Sequence, residues 1–134
     1  MSVAVWFWFF GLPETNYSLP YSAQSPTSYK RLSFETQEDI DVEVEILCKE
    51  IKEKSKRTIG QELYHILPSF TSPEYATKSW MYEVIDEYNV SQVFNIPIAT
   101  SLESANSIRL DYYKIIANEM AACEQFQAEK NAKN

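Results

Sequence analysis

The hydrophobic positions of this chain fall into three patterns along its length. Residues 3–10, VAVWFWFF, form an unbroken apolar run, residues 11–35 mix proline, serine and tyrosine, and apolar positions recur at helical spacing from residue 36 onward. A run rich in β-branched and aromatic residues predicts a β-strand, here with two apolar faces. Because burying each large side chain is worth roughly 1.5–3 kcal/mol, we expect the run to be covered.

Pairing partners for such a strand are scarce in the rest of the sequence. The candidate strands are residues 29–35 and 93–98, and Pro97 restricts the second of them to the edge of a sheet. A strand that is apolar on both faces must be covered on both, while its backbone needs partners within a sheet. The sequence therefore leaves open whether residues 3–10 pack inside their own domain or against another subunit.

The segment from Gly11 to Tyr29 is predicted to be extended. It contains three prolines, and Glu14 is the only charged side chain between Met1 and Tyr29. Segments of this composition favour the polyproline II conformation. Tyrosine offers a large contact area with few torsions to restrict, which suits an interface. Alternatively, the segment is a linker whose tyrosines lie back on their own domain.

Four helix starts are predicted from capping residues, each a serine or threonine ahead of the helix. They are Thr36 with Asp39, Thr58 with Gln61, Ser72 with Pro73, and Thr100 with Glu103. We expect the first helix to reach about Arg57 and the last to reach about Lys130. Residues 40–46 also alternate as a strand would, but the cap and the glutamate–lysine pairs four residues apart favour a helix.

These patterns predict a mainly α fold: a four-helix domain with an extended N-terminal arm that can add a short strand or a hairpin. The arm covers residues 1–35, the helical domain covers residues 36–130, and residues 131–134 form a polar tail. We expect deletion of residues 1–28 to leave the helical domain folded, because its helices already supply complete apolar stripes.

Composition narrows the class of protein. The chain has 134 residues, which suits one domain, and its net charge of −7 argues against nucleic-acid binding. Cys48 and Cys123 form no disulfide or metal motif, so we expect buried thiols in a reducing compartment. The apolar run is too short for a membrane span and lacks the basic flank of a signal peptide. The expected location is the cytoplasm or a particle assembled inside the cell.

We predict no catalytic residue, no cofactor and no metal. Glu62 and His65 have the Glu-x-x-His spacing of di-iron bundles, but such a site needs the motif twice and His65 is the only histidine. The two glycines, Gly11 and Gly60, exclude a glycine-rich phosphate loop. The acidic positions between residues 38 and 45 complement a helix N-terminus, with a basic partner as the alternative explanation.

The leading hypothesis is a protein that is not an enzyme. It would be a protein–protein interaction or assembly subunit, structural in role, that docks on a partner protein or a second copy through residues 1–29. The predicted partner-binding residues are Trp6, Phe7, Trp8, Phe9, Phe10, Tyr17, Tyr21 and Tyr29. The alternative is a small acidic inhibitor or immunity-type protein that blocks a basic site on a target enzyme.

Overall fold

The computed structural model describes residues 1–95 and 107–133, which form a mainly helical fold with one small β-sheet. Its helices are α1 (Ser2–Phe10), α2 (Gln37–Lys54), α3 (Ile59–Ile66), α4 (Pro73–Ala76), α5 (Ser79–Val93) and α6 (Ser107–Ala132). A 3₁₀ turn, Leu67–Ser69, follows α3, and the strands are β1 (Tyr21–Gln24) and β2 (Arg31–Phe34). The mainly α class is confirmed, but the predicted count of four helices is not exact, since the described residues form six.

Residues 3–10 are helical, so the strand predicted there is wrong. Helix α1 packs against α3, α5 and α6, and its residues from Val3 to Phe7 are buried. Within the described part of the chain the two strands pair with each other, which leaves none to pair with α1. A helix satisfies its backbone hydrogen bonds internally and can therefore lie among other helices without sheet partners. A helix enclosed on all sides is apolar all round. The run therefore has no polar positions at helical spacing that would have predicted a helix.

Helix α1 separates two hydrophobic cores. Val3 and Phe7, one turn apart, belong to the core that α2, α3 and the strands form. Ala4, Val5 and Trp6 belong to the core that α5 and α6 form. Each core would lose one wall without α1. From this packing we now expect deletion of residues 1–28 to unfold the protein.

Gly11 ends α1 and redirects the chain. Its φ of 96° lies in the region that side chains with a Cβ atom rarely adopt. The backbone N–H of Gly11 donates a hydrogen bond to the carbonyl of Phe7 at 2.8 Å, which closes the last turn of the helix. The apolar run stops at this residue because the backbone leaves the core here.

Strands β1 and β2 form an antiparallel hairpin, as the arm was predicted to be able to do. In its register Tyr21 pairs with Phe34 and Ala23 pairs with Leu32, and these four side chains are buried or half-buried. The residues between them on both strands are exposed. This alternation of period two is typical of a sheet that covers a core with one face. Strand β2 lies within the predicted candidate range 29–35.

The predicted helix start at Thr36 is confirmed in detail. The backbone N–H of Asp39 donates to Thr36 Oγ1 at 3.4 Å, and the backbone N–H of Thr36 donates to the Asp39 carboxylate at 3.1 Å. The backbone N–H of Glu35 donates to the same carboxylate at 2.9 Å. The hydrogen bonds from Glu35 and Thr36 hold the pKa of Asp39 below its ordinary value. Residues 40–46 are helical, as the cap predicted.

The remaining predicted starts have different outcomes. Thr58 caps α3 by accepting a hydrogen bond from Gln61 N–H at 3.2 Å, as expected. The helix predicted to follow Ser72 is divided into α4 and α5 by an extended Thr77, whose N–H and hydroxyl both donate to the Pro73 carbonyl. The start predicted at residues 100–103 lies outside the described residues, as does the end of the candidate strand 93–98, whose first residue belongs to α5.

The two cysteines differ in burial. Cys123 is fully buried, as predicted, and burial raises the pKa of its thiol to about 12. Cys48 is half-buried, and burial raises its pKa as well. Among the residues that the structure describes, no helix is both long enough and apolar enough to cross a membrane.

Candidate interaction surface

Trp6 and Phe7, two of the predicted partner-binding residues, lie inside the protein. Trp6 is fully buried, and its ring packs against Tyr64 and Phe126 at centroid distances of 5.5 and 5.6 Å. The Phe7 ring lies 5.9 Å from Tyr64. The Trp6 indole N–H donates a hydrogen bond to Glu119 Oε1 at 3.2 Å. Both side chains are therefore covered by their own chain.

The buried carboxylate of Glu119 links α1, α3 and α6. In addition to the hydrogen bond from Trp6, it accepts one from the backbone N–H of Gly60 at 2.9 Å, at the start of α3. A buried carboxylate is costly unless it is hydrogen-bonded, and the N-terminal end of a helix favours it. A Cβ atom at Gly60 would lie 2.6 Å from Glu119 Oε2 and 2.7 Å from the Ser2 carbonyl oxygen. This cluster stabilises the packing of three helices.

The next three predicted residues are half-buried at the end of α1. The indole N–H of Trp8 donates to Asp86 Oδ1 on α5 at 2.8 Å. Phe9 and Phe10 stack edge to face at 4.8 Å, and Phe10 meets Phe126 on α6 at 5.7 Å. Trp8 and Phe10 thus contact neighbouring helices of the same chain, and the partner contact predicted for these half-buried rings stays a prediction.

Tyr17 and Tyr21 lie back on their own domain, which was the alternative interpretation of this segment. The Tyr17 hydroxyl donates to the Ser69 carbonyl at 2.9 Å, and Ser72 Oγ donates to the Tyr17 carbonyl at 3.0 Å. The two tyrosine rings stack at 4.9 Å, and Tyr21 continues the stack to Phe34 at 5.3 Å. Residues 11–20 are thus fastened along the turn after α3.

Tyr29 differs from all the other predicted residues because its side chain is 74% exposed. It lies in the loop between β1 and β2, which comprises residues 25–30. Its φ of 61° places it in the left-handed region, where a bulky residue is an outlier that costs about 1–2 kcal/mol. Among the described residues, no aromatic ring packs against the ring of Tyr29. The exposed ring therefore adds little packing to the fold.

The loop that presents Tyr29 is held by a buried carboxylate on α2. Glu43 is 5% exposed, and its Oε1 atom accepts hydrogen bonds from Ser25 Oγ at 2.5 Å and Thr27 Oγ1 at 2.7 Å. The Ser25 hydroxyl oxygen also accepts hydrogen bonds from the backbone N–H groups of Thr27 and Ser28. The Tyr29 N–H donates to the Ser25 carbonyl at 3.0 Å. These contacts hold the loop to α2 and connect the Tyr29 backbone to Ser25.

Sequence reasoning missed two further residues of this surface, Val42 and Ile46. They lie on α2 on either side of Glu43, and their side chains are 51% and 42% exposed. In the alternating stretch 40–46, a helix turns Ile40 into the core and leaves Val42 and Ile46 outside. The sequence therefore contained a signal for this surface. When apolar residues alternate as in a strand but lie in a well-capped helix, some of them must point away from the core.

Charged residues of opposite sign flank these apolar residues in the sequence. Lys30 and Arg31 follow Tyr29 and are exposed, whereas Glu38, Asp41 and Glu45 are exposed on α2. The acidic run of the sequence is thus divided by the fold, since Asp39 caps α2 and Glu43 anchors the loop. We call Tyr29, Val42, Ile46 and these five charged residues the loop–α2 surface.

His65 forms no convergent site with Glu62. Its ring packs beside Phe126 at 5.3 Å and Tyr64 at 5.2 Å. Partial burial, assisted by the positive charge of Arg57, lowers the pKa of His65, and Glu62 opposes that shift. Glu62 itself accepts a hydrogen bond from Ser55 Oγ at 3.1 Å. The part of the chain that the structure describes contains no cluster of side chains suited to bind a metal ion.

No family model matches this chain, and no curated protein and no solved structure is significantly similar to it.

Proposed function

We propose that this protein is a non-enzymatic interaction subunit whose contact surface is the loop–α2 surface. The observation that carries the proposal is Tyr29, a bulky side chain that is exposed in a left-handed conformation and held there by a buried carboxylate. Strained residues of this kind cluster at functional sites. Compared with the hypothesis from sequence, the proposed contact moves from the apolar run to the end of the hairpin.

Tyr29 has the properties of an interface anchor. Tyrosine is enriched at the centres of protein interfaces, and a rigid loop presents it at a low cost in entropy. Val42 and Ile46 add aliphatic area beside the point where the loop is anchored. Exposed aliphatic and aromatic residues on two segments that Glu43 connects support an interaction site there.

The partner that best fits the loop–α2 surface is a second copy of the chain. The loop side is basic through Lys30 and Arg31, whereas α2 is acidic through Glu38, Asp41 and Glu45. A two-fold arrangement places the loop of each copy on α2 of the other, which brings together opposite charges and apolar side chains twice.

Sedimentation velocity over a series of protein concentrations tests this proposal. We expect a monomer–dimer equilibrium that weakens about tenfold or more in Tyr29→Gly, as for the loss of an interface aromatic. Val42→Ser and Ile46→Ser should weaken it as well. Val90→Ser is the matched control, because Val90 is 45% exposed on α5, which packs against α1 and α6.

Two results would contradict the proposal. One is a wild-type protein that remains monomeric at every concentration, and the other is equal weakening by Val90→Ser and Ile46→Ser. Raising the salt concentration should weaken the dimer only moderately, because apolar contacts lie at its centre.

The acidic-inhibitor hypothesis remains a second proposal, supported by the exposed carboxylates of α2. It requires steep salt dependence, since charge alone would hold the complex.

A further inference from the structure

A broad groove lies at the opposite end of α2 from its capping box. Its two walls are the connection between α2 and α3 and the C-terminal part of α6, and its volume is about 590 Å³. Cavities of this size are typical of sites for small molecules. The groove shares no residue with the loop–α2 surface, so the association proposed for that surface does not involve the groove.

Four cationic side chains line the groove, namely Lys56, Arg57, Lys130 and Lys133, against one carboxylate, Glu129. The whole chain has only 12 basic residues and 19 acidic ones. A third of its positive charge is therefore gathered at one groove of an acidic protein. The fold achieves this by bringing together residues more than seventy positions apart in the sequence.

Helix dipoles account for part of this cationic cluster. Lys130 lies in the last turn of α6, where a positive charge is favourable. Lys56 and Arg57 follow Ser55, the C-terminal cap of α2, and precede Thr58, the residue that caps α3. The negative end of α2 favours these two cations and the positive end of α3 disfavours them, so the two dipoles act on them in opposite directions.

The internal compensation for Arg57 is incomplete. Its Nη1 atom lies 3.9 Å from Glu62 Oε1, at the limit of an ion pair, and its side chain is 62% exposed. Glu62 accepts a closer hydrogen bond from Ser55 Oγ at 3.1 Å. A guanidinium placed in this way retains N–H groups directed to solvent, and such groups suit the paired oxygens of a phosphate.

The groove also has a fixed apolar wall. Phe126 lines it, and the Phe126 ring is held by Trp6 and Phe10 at 5.6 and 5.7 Å. Phe126 and Ala122 give the groove an apolar side beside its basic side. The combination fits a molecule that has a charged phosphate end and an uncharged organic end.

We propose that this groove binds a small phosphorylated molecule, with Arg57, Lys56, Lys130 and Lys133 around its phosphate groups and Phe126 beside its organic part. A long nucleic acid is a poor ligand, because the net charge of −7 repels a polyanion that extends beyond the groove. The proposal is independent of the association proposed for the loop–α2 surface.

Titration of the full-length protein with tripolyphosphate, ATP and adenosine, followed by calorimetry and by amide NMR shifts, tests this inference. We expect saturable binding of ATP and of tripolyphosphate, with shifts at Gln61 and Gln125, which line the groove. ATP should bind more tightly than tripolyphosphate because of its organic part. Adenosine should bind at least about tenfold more weakly than ATP, since it lacks the phosphates.

Charge-neutralising variants locate the site. Arg57→Gln and Lys130→Gln should each weaken ATP binding about three- to tenfold. Lys78→Gln and Lys114→Gln change the net charge equally at exposed positions outside the groove lining, and they should change the affinity less than about twofold.

Three outcomes would overturn the inference. They are the absence of saturable ATP binding at low salt, equal losses in the groove variants and the control variants, and binding of a polyglutamate peptide as tight as that of ATP. The last outcome would replace phosphate recognition with general attraction of anions.

Discussion

Helix α1 and the loop at residues 25–30 both present large aromatic side chains, yet Trp6 is fully buried and Tyr29 is 74% exposed. Trp6 has ring partners on α1, α3 and α6 and a hydrogen bond to Glu119. Among the described residues, the hydrogen bonds of Tyr29 are made by its backbone, with Ser25 and Gln24. An aromatic run therefore indicates that its side chains must be buried, but it does not indicate which molecule covers them.

The largest expected effect is a loss of stability when an aromatic residue of α1 is truncated. Trp6→Ala should lower the free energy of unfolding by about 3–5 kcal/mol, because it empties a core position and leaves Glu119 without its indole donor. Trp80→Ala is the matched control, since Trp80 is 39% exposed, and it should cost far less. Urea unfolding followed by circular dichroism measures both. Similar losses for the two variants would show that Trp6 is not in the core.

A smaller loss is expected from the carboxylate that anchors the loop. Glu43→Ala should lower the free energy of unfolding by about 1–3 kcal/mol, because the Ser25 and Thr27 hydroxyls lose their acceptor. Glu45→Ala removes an exposed carboxylate of the same helix, 3.8 Å from Lys49, and should cost less than about 0.5 kcal/mol. Thermal unfolding of both variants checks this difference, and equal melting temperatures would argue against the anchor.

Tyr29→Gly should raise the free energy of unfolding, whereas the two preceding substitutions should lower it. Glycine adopts a positive φ without strain, so the variant should gain up to about 1 kcal/mol in the free energy of unfolding, after the entropy cost of glycine is included. The same substitution should weaken self-association. A gain in stability together with a loss of association would indicate that Tyr29 is kept for contact rather than for folding. A destabilised variant would indicate that its ring packs within the chain.

The smallest effect concerns pH. Because the pKa of His65 is lowered in the folded protein, the unfolded chain binds its proton more readily. The resulting stabilisation is present above the unfolded pKa, about 6.5, and is lost as the pH falls through the lower folded value. Unfolding of His65→Gln between about pH 7 and about pH 5.5 should therefore depend less on pH than that of the wild type. Identical slopes would contradict this assignment.

Local polar chemistry made much of the fold predictable. Thr36 and Asp39 form the predicted capping box, Thr58 caps α3, and β2 lies within the candidate strand 29–35. Residues 3–10 could not be assigned in the same way, because a continuous apolar run has no period and a short buried helix resembles a buried strand. The tertiary surroundings then decided the conformation, since α3, α5 and α6 enclose the run.

The candidate surface was predicted only in part. Tyr29 was among the expected residues, but it was grouped with Trp6 because both are aromatic. Val42 and Ile46 belong to the alternating apolar stretch noted in the sequence. Their exposure was not predicted, although it follows once this stretch is helical. Glu43 could not be distinguished from its acidic neighbours, because its burial depends on Ser25, which is distant in sequence. Non-local partners of this kind cannot be inferred from the spacing of residues alone.

Hydrogen exchange of the α1 amides as a function of protein concentration tests whether residues 2–10 belong to the core of a single chain. We expect residues 5–10 to be protected as strongly as the buried turns of α2 and α6, and their protection to stay the same on dilution, because their own chain covers them. Rapid exchange of these amides in dilute solution, with protection that returns only at high concentration, would show instead that a second molecule covers α1.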